Sequence, residues 1–241
     1  MPLPALLVSV RNLADARAAI EGGCDRLDVK EPLRGPLGRA DADVIAGIAA
    51  FALQQTARLP CSVALGEIHE SQATETPCVL PRGVSDIKLG PARLDTPRRW
   101  VDGWQHALRK FHCETRGSIR RVAVAYADWS TAGSLSPERI LATAIEVGSD
   151  GFLVDTHRKD TGNLLDALSH RDLQRLADMC RRAGVTFALA GSLRLEHLAS
   201  LVDVRPDVIA VRGAACEDRR RSGDVSTACV QRLKAAICEL F

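Results

Sequence analysis

The sequence predicts one α/β domain over residues 1–241, folded as a single (β/α)8 barrel of the TIM type. Eight short apolar runs alternate with longer amphipathic stretches, which is typical of a parallel sheet covered by helices. The length of 241 residues is close to the roughly 250 residues that such a barrel needs. The competing fold is an open, doubly wound sheet, but its Gly-x-Gly-x-x-Gly turn is absent from the sequence.

Local start and stop signals define the elements in the first half of the chain. Asn12 caps a helix that ends at Gly22-Gly23, and Asp41 caps a second helix that runs to about residue 57. Residues 69–83 contain two prolines and little periodicity, so we interpret them as a short helix or an irregular return. The predicted elements are strands at 6–10, 26–30, 62–65 and 85–89, and helices at 13–21 and 41–57.

The second half of the chain continues the same alternation. Ser136-Pro137 combines a capping hydroxyl with a proline in the first turn, which marks the start of a helix. The predicted strands are 121–126, 151–155, 185–189 and 207–211. The predicted helices are 97–113, one that begins at 136, 164–183, 194–202 and 226–240.

The composition excludes several functional classes. Net charge is +2, only 4% of residues are aromatic, and no basic stripe is interleaved with aromatics, which argues against a nucleic-acid partner. No apolar run approaches the ~20 residues of a membrane span, and the N-terminus lacks a secretory leader. We therefore expect a cytoplasmic protein with no membrane partner. The eight cysteines and six histidines show no metal-type spacing, so we expect no metal; the oligomeric state stays open, a homo-oligomer included.

Polar residues concentrate where the predicted strands end, which is the active-site rim of a parallel barrel. Only five of the 32 basic residues are lysines, and Lys30, Lys88 and Lys159 lie at or just beyond strand ends. A lysine at such a place can mark a position where an amine must lose its proton and attack a carbonyl. The other rim candidates are Ser9, Asp28, Glu67, Asp128, Asp155, Ser192 and Arg212.

Asp28 and Lys30 lie two residues apart on one strand and therefore share a face. They form either an ion pair at the rim or a catalytic amine oriented by its carboxylate. Crowded ammonium groups lower lysine pKa values and bound phosphate raises them, so the sequence leaves the net direction open. The same alternation turns Arg26 inward, which requires either an early twist of the strand or a buried partner for Arg26.

The last two strand ends carry small residues that suit phosphate binding. Barrels often bind phosphate with the loops after strands seven and eight, which here contain Gly191-Ser192 and Arg212-Gly213-Ala214. Backbone N–H groups can approach an anion there and Arg212 can bind it bidentately; tight turns alone are the alternative. For Arg219-Arg220-Arg221 we favour a solvated loop over a phosphate-adjacent one. His157 is either a proton shuttle or a loop histidine.

Seven segments, in order between residues 6 and 216, follow the motifs of one known family. The Asp28-Val29-Lys30-Glu31-Pro32 run and the Val211-Arg212-Gly213-Ala214-Ala215-Cys216 run are highly specific in combination. The others are 7–12, 86–90, 126–128, 155–160 and 190–193. Together these segments resemble the (5-formylfuran-3-yl)methyl phosphate synthase family over nearly the whole chain.

The resemblance implies a barrel that condenses two glyceraldehyde 3-phosphate molecules through a lysine Schiff base, with loss of phosphate and water, for methanofuran-type coenzyme biosynthesis. It implies no cofactor and no metal. The family's functional residues fall on Asp28, Lys30, Lys88, Asp155 and Lys159, with Lys30 as the Schiff-base lysine and Lys159 as an acid/base partner. In bacteria, the resemblance suggests methylotrophic one-carbon metabolism.

The chain departs from the family pattern at residues 67–83, at Arg26 and at residues 217–221. Because residues 67–83 could reshape the pocket, a Schiff-base (class I type) aldolase acting on another sugar phosphate is the alternative function. A third hypothesis is a barrel without activity that serves as a binding or scaffold protein. The three lysines at the rim argue against that hypothesis.

Overall fold

Eight parallel strands close into a barrel in the computed structural model, which describes residues 2–55, 59–72, 78–113 and 119–241. The barrel strands are β1 (Ala5–Val10), β2 (Arg26–Val29), β3 (Cys61–Glu67), β5 (Val84–Gly90), β7 (Arg120–Tyr126), β8 (Gly151–Asp155), β9 (Thr186–Leu189) and β10 (Val208–Val211). They follow one another around the barrel in chain order, and β10 pairs with β1 to close it. The predicted (β/α)8 fold class is therefore confirmed.

Helices follow the strands along the chain. The α-helices are α1 (Leu13–Glu21), α2 (Ala42–Leu53), α3 (Ile68–Gln72), α4 (Pro97–Lys110), α5 (Trp129–Ala132), α6 (Pro137–Glu146), α7 (Leu164–Ala167), α8 (His170–Ala183) and α9 (Thr227–Leu240). Short 3-10 helices cover Pro32–Arg34, Leu195–Leu201 and Gly213–Ala215. The predicted cap at Asn12 is confirmed, because its side chain accepts a hydrogen bond of 2.8 Å from the Asp15 N–H.

Two predicted helices end earlier than the sequence pattern indicates. The helix predicted to reach residue 57 ends at Leu53, and residues 56–58 lie outside the described part of the chain. The helix predicted over 97–113 ends at Lys110, because Phe111 turns into extended backbone. Residues Phe111–Cys113 form a short strand, β6, that pairs with β4 (Cys78–Leu80) beside the barrel. Two three-residue strands are too short for periodicity to reveal.

Two other predicted helices have a different form. The helix expected over 164–183 breaks at Leu168, which is extended, and Ser169 then caps α8 by accepting the Asp172 N–H at 3.2 Å. Serine favours such caps over helix interiors, so it restarts the helix rather than continuing it. The helix expected over 194–202 is the 3-10 helix Leu195–Leu201. In the unclear stretch 69–83, the described residues belong to α3, to β4 and to the turn that follows β4.

The barrel separates two hydrophobic clusters. The larger cluster lies between the strands and the surrounding helices, and the stacked rings of Trp100 and Trp104 (5.3 Å between centroids) belong to it. The smaller cluster fills part of the barrel interior with residues such as Leu7, Val124 and Leu153. Charged side chains occupy other interior positions, so the barrel encloses a polar centre.

An ion-pair network closes the barrel interior near the start of the strands. Arg26 Nη2 lies 2.6 Å from Asp86 Oδ2, and Arg120 Nη1 lies 3.3 Å from Asp86 Oδ1. Arg120 also donates to Thr186 Oγ1 at 2.7 Å. The inward Arg26 thus has a buried carboxylate partner, which is one of the two solutions that the sequence allowed.

We predict that Asp86→Ala destabilises the fold by about 3 kcal/mol, because it leaves two guanidinium groups without their carboxylate. Urea unfolding measures the change in the free energy of unfolding. The control is Asp95→Ala, which removes the exposed partner of Arg99 and costs less than about 1 kcal/mol. Equal stability of the two variants would show that the network contributes nothing to folding.

Candidate active site

A cavity of about 630 Å³ opens where the barrel strands end. This volume is typical of sites for small molecules. Every residue that the sequence singled out as catalytic or phosphate-binding lines it: Asp28, Lys30, Lys88, Asp155, Lys159, Gly191, Ser192, Arg212, Gly213 and Ala214. The barrel therefore brings together residues that are as many as 186 positions apart in the chain.

Asp28 and Lys88 form a buried ion pair in the floor of the cavity. Lys88 Nζ lies 2.5 Å from Asp28 Oδ1, and both side chains are almost fully buried. The strand register places Ser9 and Ser62 on either side of Asp28. Their hydroxyls donate to the two carboxylate oxygens at 3.0 and 2.7 Å. The carboxylate of Asp28 thus contacts Lys88, Ser9 and Ser62 rather than Lys30.

Asp155 and Lys159 form a second ion pair in the cavity wall. Lys159 Nζ lies 2.5 Å from Asp155 Oδ1 and 3.2 Å from Thr156 Oγ1. Burial opposes the charge of Asp155, but Lys159 and Lys30 outweigh burial and lower the pKa of the carboxyl. Burial also lowers the pKa of Lys159, against the opposing effect of Asp155. Such a pair can exchange protons with a substrate.

Lys30 is the lysine of the three that has no carboxylate of its own. Its Nζ donates to the Pro36 carbonyl oxygen at 3.3 Å, and no carboxylate oxygen of the described residues lies within ion-pair distance. Burial lowers the pKa of Lys30 to about 8, helped by Lys159 and Lys88 and opposed by Asp155 and Asp28. The sequence left the direction of the Lys30 pKa shift open, and the structure shows that the shift is downward.

The loops after β9 and β10 line the cavity. Gly191 (φ 96°) and Ser192 (φ 53°) both adopt left-handed backbone, which favours glycine at the first position. A Cβ at Gly191 would lie 3.0 Å from Thr156 Cγ2. Within the described residues, the N–H groups of Gly191, Ser192, Gly213 and Ala214 donate to no protein acceptor. Backbone N–H groups without a protein acceptor, in loops that line a cavity, suit a phosphate.

The guanidinium of Arg212 has a different role from the bidentate phosphate contact that the sequence suggested. It donates to Ser9 O and Asp15 Oδ2 at 2.9 Å, and to the carbonyl oxygens of Arg221 and Gly223 at 2.9 and 2.5 Å. Four bonds to the protein occupy it, and the residue is 7% exposed. Arg212 therefore fixes the following loop, and one of its five guanidinium N–H donors has no acceptor among the described residues.

Sequence reasoning missed the position of Arg221. We favoured a solvated loop for Arg219-Arg220-Arg221, yet all three residues line the cavity and Arg221 is half-buried there. Arg221 Nη2 donates to Gly35 O at 2.9 Å and so connects the last loop to the loop after β2. The departure from the family pattern at residues 217–221 was the signal in the sequence that could have revealed this position.

His157 lies outside this cavity. It lines a neighbouring cavity of about 490 Å³, and its ring packs edge-on against Tyr126 at 5.0 Å between centroids. The Tyr126 hydroxyl donates to Glu67, and burial raises the pKa of that carboxyl. The backbone N–H of His157 donates to Asp128 Oδ1 at 2.6 Å. The geometry favours a structural histidine over a proton shuttle for the main cavity.

The described part of residues 67–83 also contributes nothing to the lining of the main cavity. Glu67, His69 and Glu70 line the neighbouring cavity instead.

In the described ranges of the chain, no three His, Cys, Asp or Glu side chains come together as metal ligands. None of the helices there combines the length and apolar character that crossing a bilayer requires.

Comparison with known proteins assigns this chain to a family. Residues 6–234 match the family described as 4-HFC-P synthase. The chain belongs to this family. It is 34% identical over 242 residues to the (5-formylfuran-3-yl)methyl phosphate synthase of Methanopyrus kandleri, covering 97% of this chain and 99% of that one. It is 31% identical to the synthase of the same name from Methanosarcina acetivorans, covering 90% and 92%. The resemblance is confirmed.

Solved structures of the same fold are more distant. The (S)-3-O-geranylgeranylglyceryl phosphate synthase of Thermoplasma acidophilum superposes with a TM-score of 0.61 at 14% identity, covering 98% of this chain and 93% of that one. KGPDC from Streptococcus mutans gives a TM-score of 0.60 at 12% identity, with complete coverage of both chains. At these identities the likeness concerns the fold alone.

We predict that the reactivity of the Lys30 amine rises with pH around a midpoint near 8, because the ammonium must lose its proton before the lone pair can react. Mass spectrometry of the Lys30 peptide after timed treatment with methyl acetimidate measures the rate constant at each pH. Asp155→Asn removes the strongest attraction for the ammonium, so its midpoint falls below 8. Asp95→Asn, at an exposed position, leaves the midpoint unchanged. A wild-type midpoint near 10 would contradict the desolvated amine.

Proposed function

We propose that this protein condenses two molecules of glyceraldehyde 3-phosphate into (5-formylfuran-3-yl)methyl phosphate through a Schiff base on Lys30. The balance of the reaction releases one orthophosphate and two waters, so neither an oxidant nor a reductant is required. The product is the furan unit of a methanofuran-type coenzyme. Membership of the 4-HFC-P synthase family and the name of the relatives support this proposal.

The observation that carries the proposal is the environment of Lys30. Its amine has a pKa of about 8, whereas Lys88 and Lys159 each lie 2.5 Å from a carboxylate. A lysine that is desolvated and close to other cations is the kind that forms imines with aldehydes near neutral pH. The site thus contains one amine without a carboxylate in ion-pair contact and two amines that are each paired with a carboxylate.

The chemistry assigns a step to each group. The Lys30 nitrogen adds to the aldehyde carbon of one substrate, and loss of water gives a protonated imine. The imine acidifies the adjacent C–H, and the Asp155–Lys159 pair accepts that proton. The resulting enamine expels the phosphate of the same triose, which leaves an enol with a nucleophilic terminal carbon. That carbon attacks the carbonyl carbon of the second triose phosphate, which proton transfer has converted to its ketose isomer, and Lys88 stabilises the oxygen as it gains charge. The terminal hydroxyl of the second triose adds to the carbonyl beside the imine, loss of two waters forms the furan, and hydrolysis of the imine releases Lys30 and the formyl group.

The cavity also suits phosphorylated substrates. Its lining contains the free N–H groups of residues 191, 192, 213 and 214 in addition to the cationic side chains. An excess of positive charge raises the local concentration of anionic substrates. The alternative, an aldolase for another sugar phosphate, rests on residues 67–83, and those of them that the structure describes do not line this cavity.

The test is product analysis with purified protein and glyceraldehyde 3-phosphate. We expect a furan that absorbs in the ultraviolet, with one orthophosphate released per furan. Lys30→Arg keeps the charge but supplies no nucleophilic amine, so the rate of furan formation falls at least about a hundredfold.

The matched control is Lys234→Arg, at a lysine that pairs with Asp25 at 2.7 Å outside the cavity. It retains wild-type activity, and circular dichroism verifies that both variants fold. An aldol product without a furan would favour the alternative enzyme. Full activity of Lys30→Arg would refute the proposed role of the amine.

A further inference from the structure

The segment Arg219–Arg220–Arg221 adds three guanidinium groups to the lining of the main cavity. Arg220 is exposed and pairs with Asp218 at 2.9 Å. Arg221 differs from it, because it is half-buried and forms no ion pair with any carboxylate of the described residues. A half-buried guanidinium without an anion beside it is costly unless a ligand supplies the charge.

Arg221 is electrostatically coupled to the catalytic groups. Burial lowers the pKa of Arg221, and Asp155 and Arg212 act on it through their charges. Arg221 in turn contributes to the lowered pKa of Lys159. Arg221 and the Asp155–Lys159 pair also line the same cavity, so a substrate bound there can reach both. Of its five N–H donors, the structure commits one, to Gly35 O at 2.9 Å.

A buried network holds the backbone of this segment in place. Arg212 donates to the Arg221 and Gly223 carbonyl oxygens, and its own partner is Asp15, which is 1% exposed. Asp15 also accepts the Val225 N–H at 3.0 Å, and Arg11 donates to Ser222 O at 2.5 Å. The segment is thus braced from the barrel rather than freely solvated. Such bracing preorganises a binding group.

The proposed reaction needs two phosphate monoesters in one cavity. The free N–H groups of Gly191, Ser192, Gly213 and Ala214 can hold one dianion. A second dianion needs its own donors, and planar guanidinium groups bind phosphate bidentately. Resting on the proposed function, we infer that Arg221 is the ligand of the second phosphate and selects for two phosphorylated ends in the cavity.

The test uses ligands that cannot form an imine, so that it does not depend on Lys30 chemistry. Isothermal titration calorimetry at fixed ionic strength compares the binding of hexane-1,6-diol bisphosphate with that of hexyl monophosphate. Both ligands have six carbons, the length of two trioses joined end to end. We expect the wild-type protein to bind the bisphosphate at least about tenfold more tightly than the monophosphate. Arg221→Gln, which can still donate to Gly35 O, loses that preference and keeps the affinity for the monophosphate. Arg221→Lys, which keeps the positive charge, retains part of the preference for the bisphosphate.

The matched control is Arg98→Gln on α4, which removes the same charge at an exposed position and keeps the wild-type preference. A preference for the bisphosphate that survives in Arg221→Gln would overturn the inference, as would equal affinity of the wild-type protein for both ligands. Loss of affinity for both ligands in Arg221→Gln would indicate a merely structural role and would also overturn it. The furan assay decides the proposed function separately.

Discussion

The site depends on one imbalance: its three lysines, Lys30, Lys88 and Lys159, have only two carboxylates, Asp28 and Asp155, to pair with. Asp28 is bound to Lys88 and Asp155 to Lys159, each at 2.5 Å, so the third amine has no counter-ion of its own. Burial then lowers the pKa of Lys30 to about 8. At pH 7.5 roughly a quarter of this amine is neutral, against about a tenth of a percent for an ordinary lysine with a pKa of about 10.4. This difference makes one lysine nucleophilic without removing the charges that bind phosphate.

The barrel supplies the proximity that this division requires. Its strand register places Ser9, Asp28 and Ser62 side by side, which fixes the carboxylate that holds Lys88. Below them, Asp86 pairs with both Arg26 and Arg120 and closes the interior. The interior is therefore polar at successive levels, and Asp28, Lys88 and Asp86 each have an oppositely charged partner there. Lys30, like Arg221, has no carboxylate in ion-pair contact among the described residues.

Much of the site could be predicted because strand ends of a parallel barrel converge. Alternation along the chain placed Lys30, Lys88 and Asp155 at such ends, and the closed barrel then brought them together. The role of Arg212 could not be predicted, because its partner Asp15 is 197 residues away and no local pattern links them. The same long-range contacts decide that Arg221 faces the cavity, and the pairing of β4 with β6 is equally non-local.

The most direct test of the account identifies which nitrogen reacts with substrate. The purified protein is incubated with glyceraldehyde 3-phosphate, reduced with borohydride and digested, and the modified peptide is located by mass spectrometry. The account predicts one adduct, on the peptide that contains Lys30. An adduct on Lys88 or Lys159 in its place, or an unmodified protein, would contradict the assignment of the free amine.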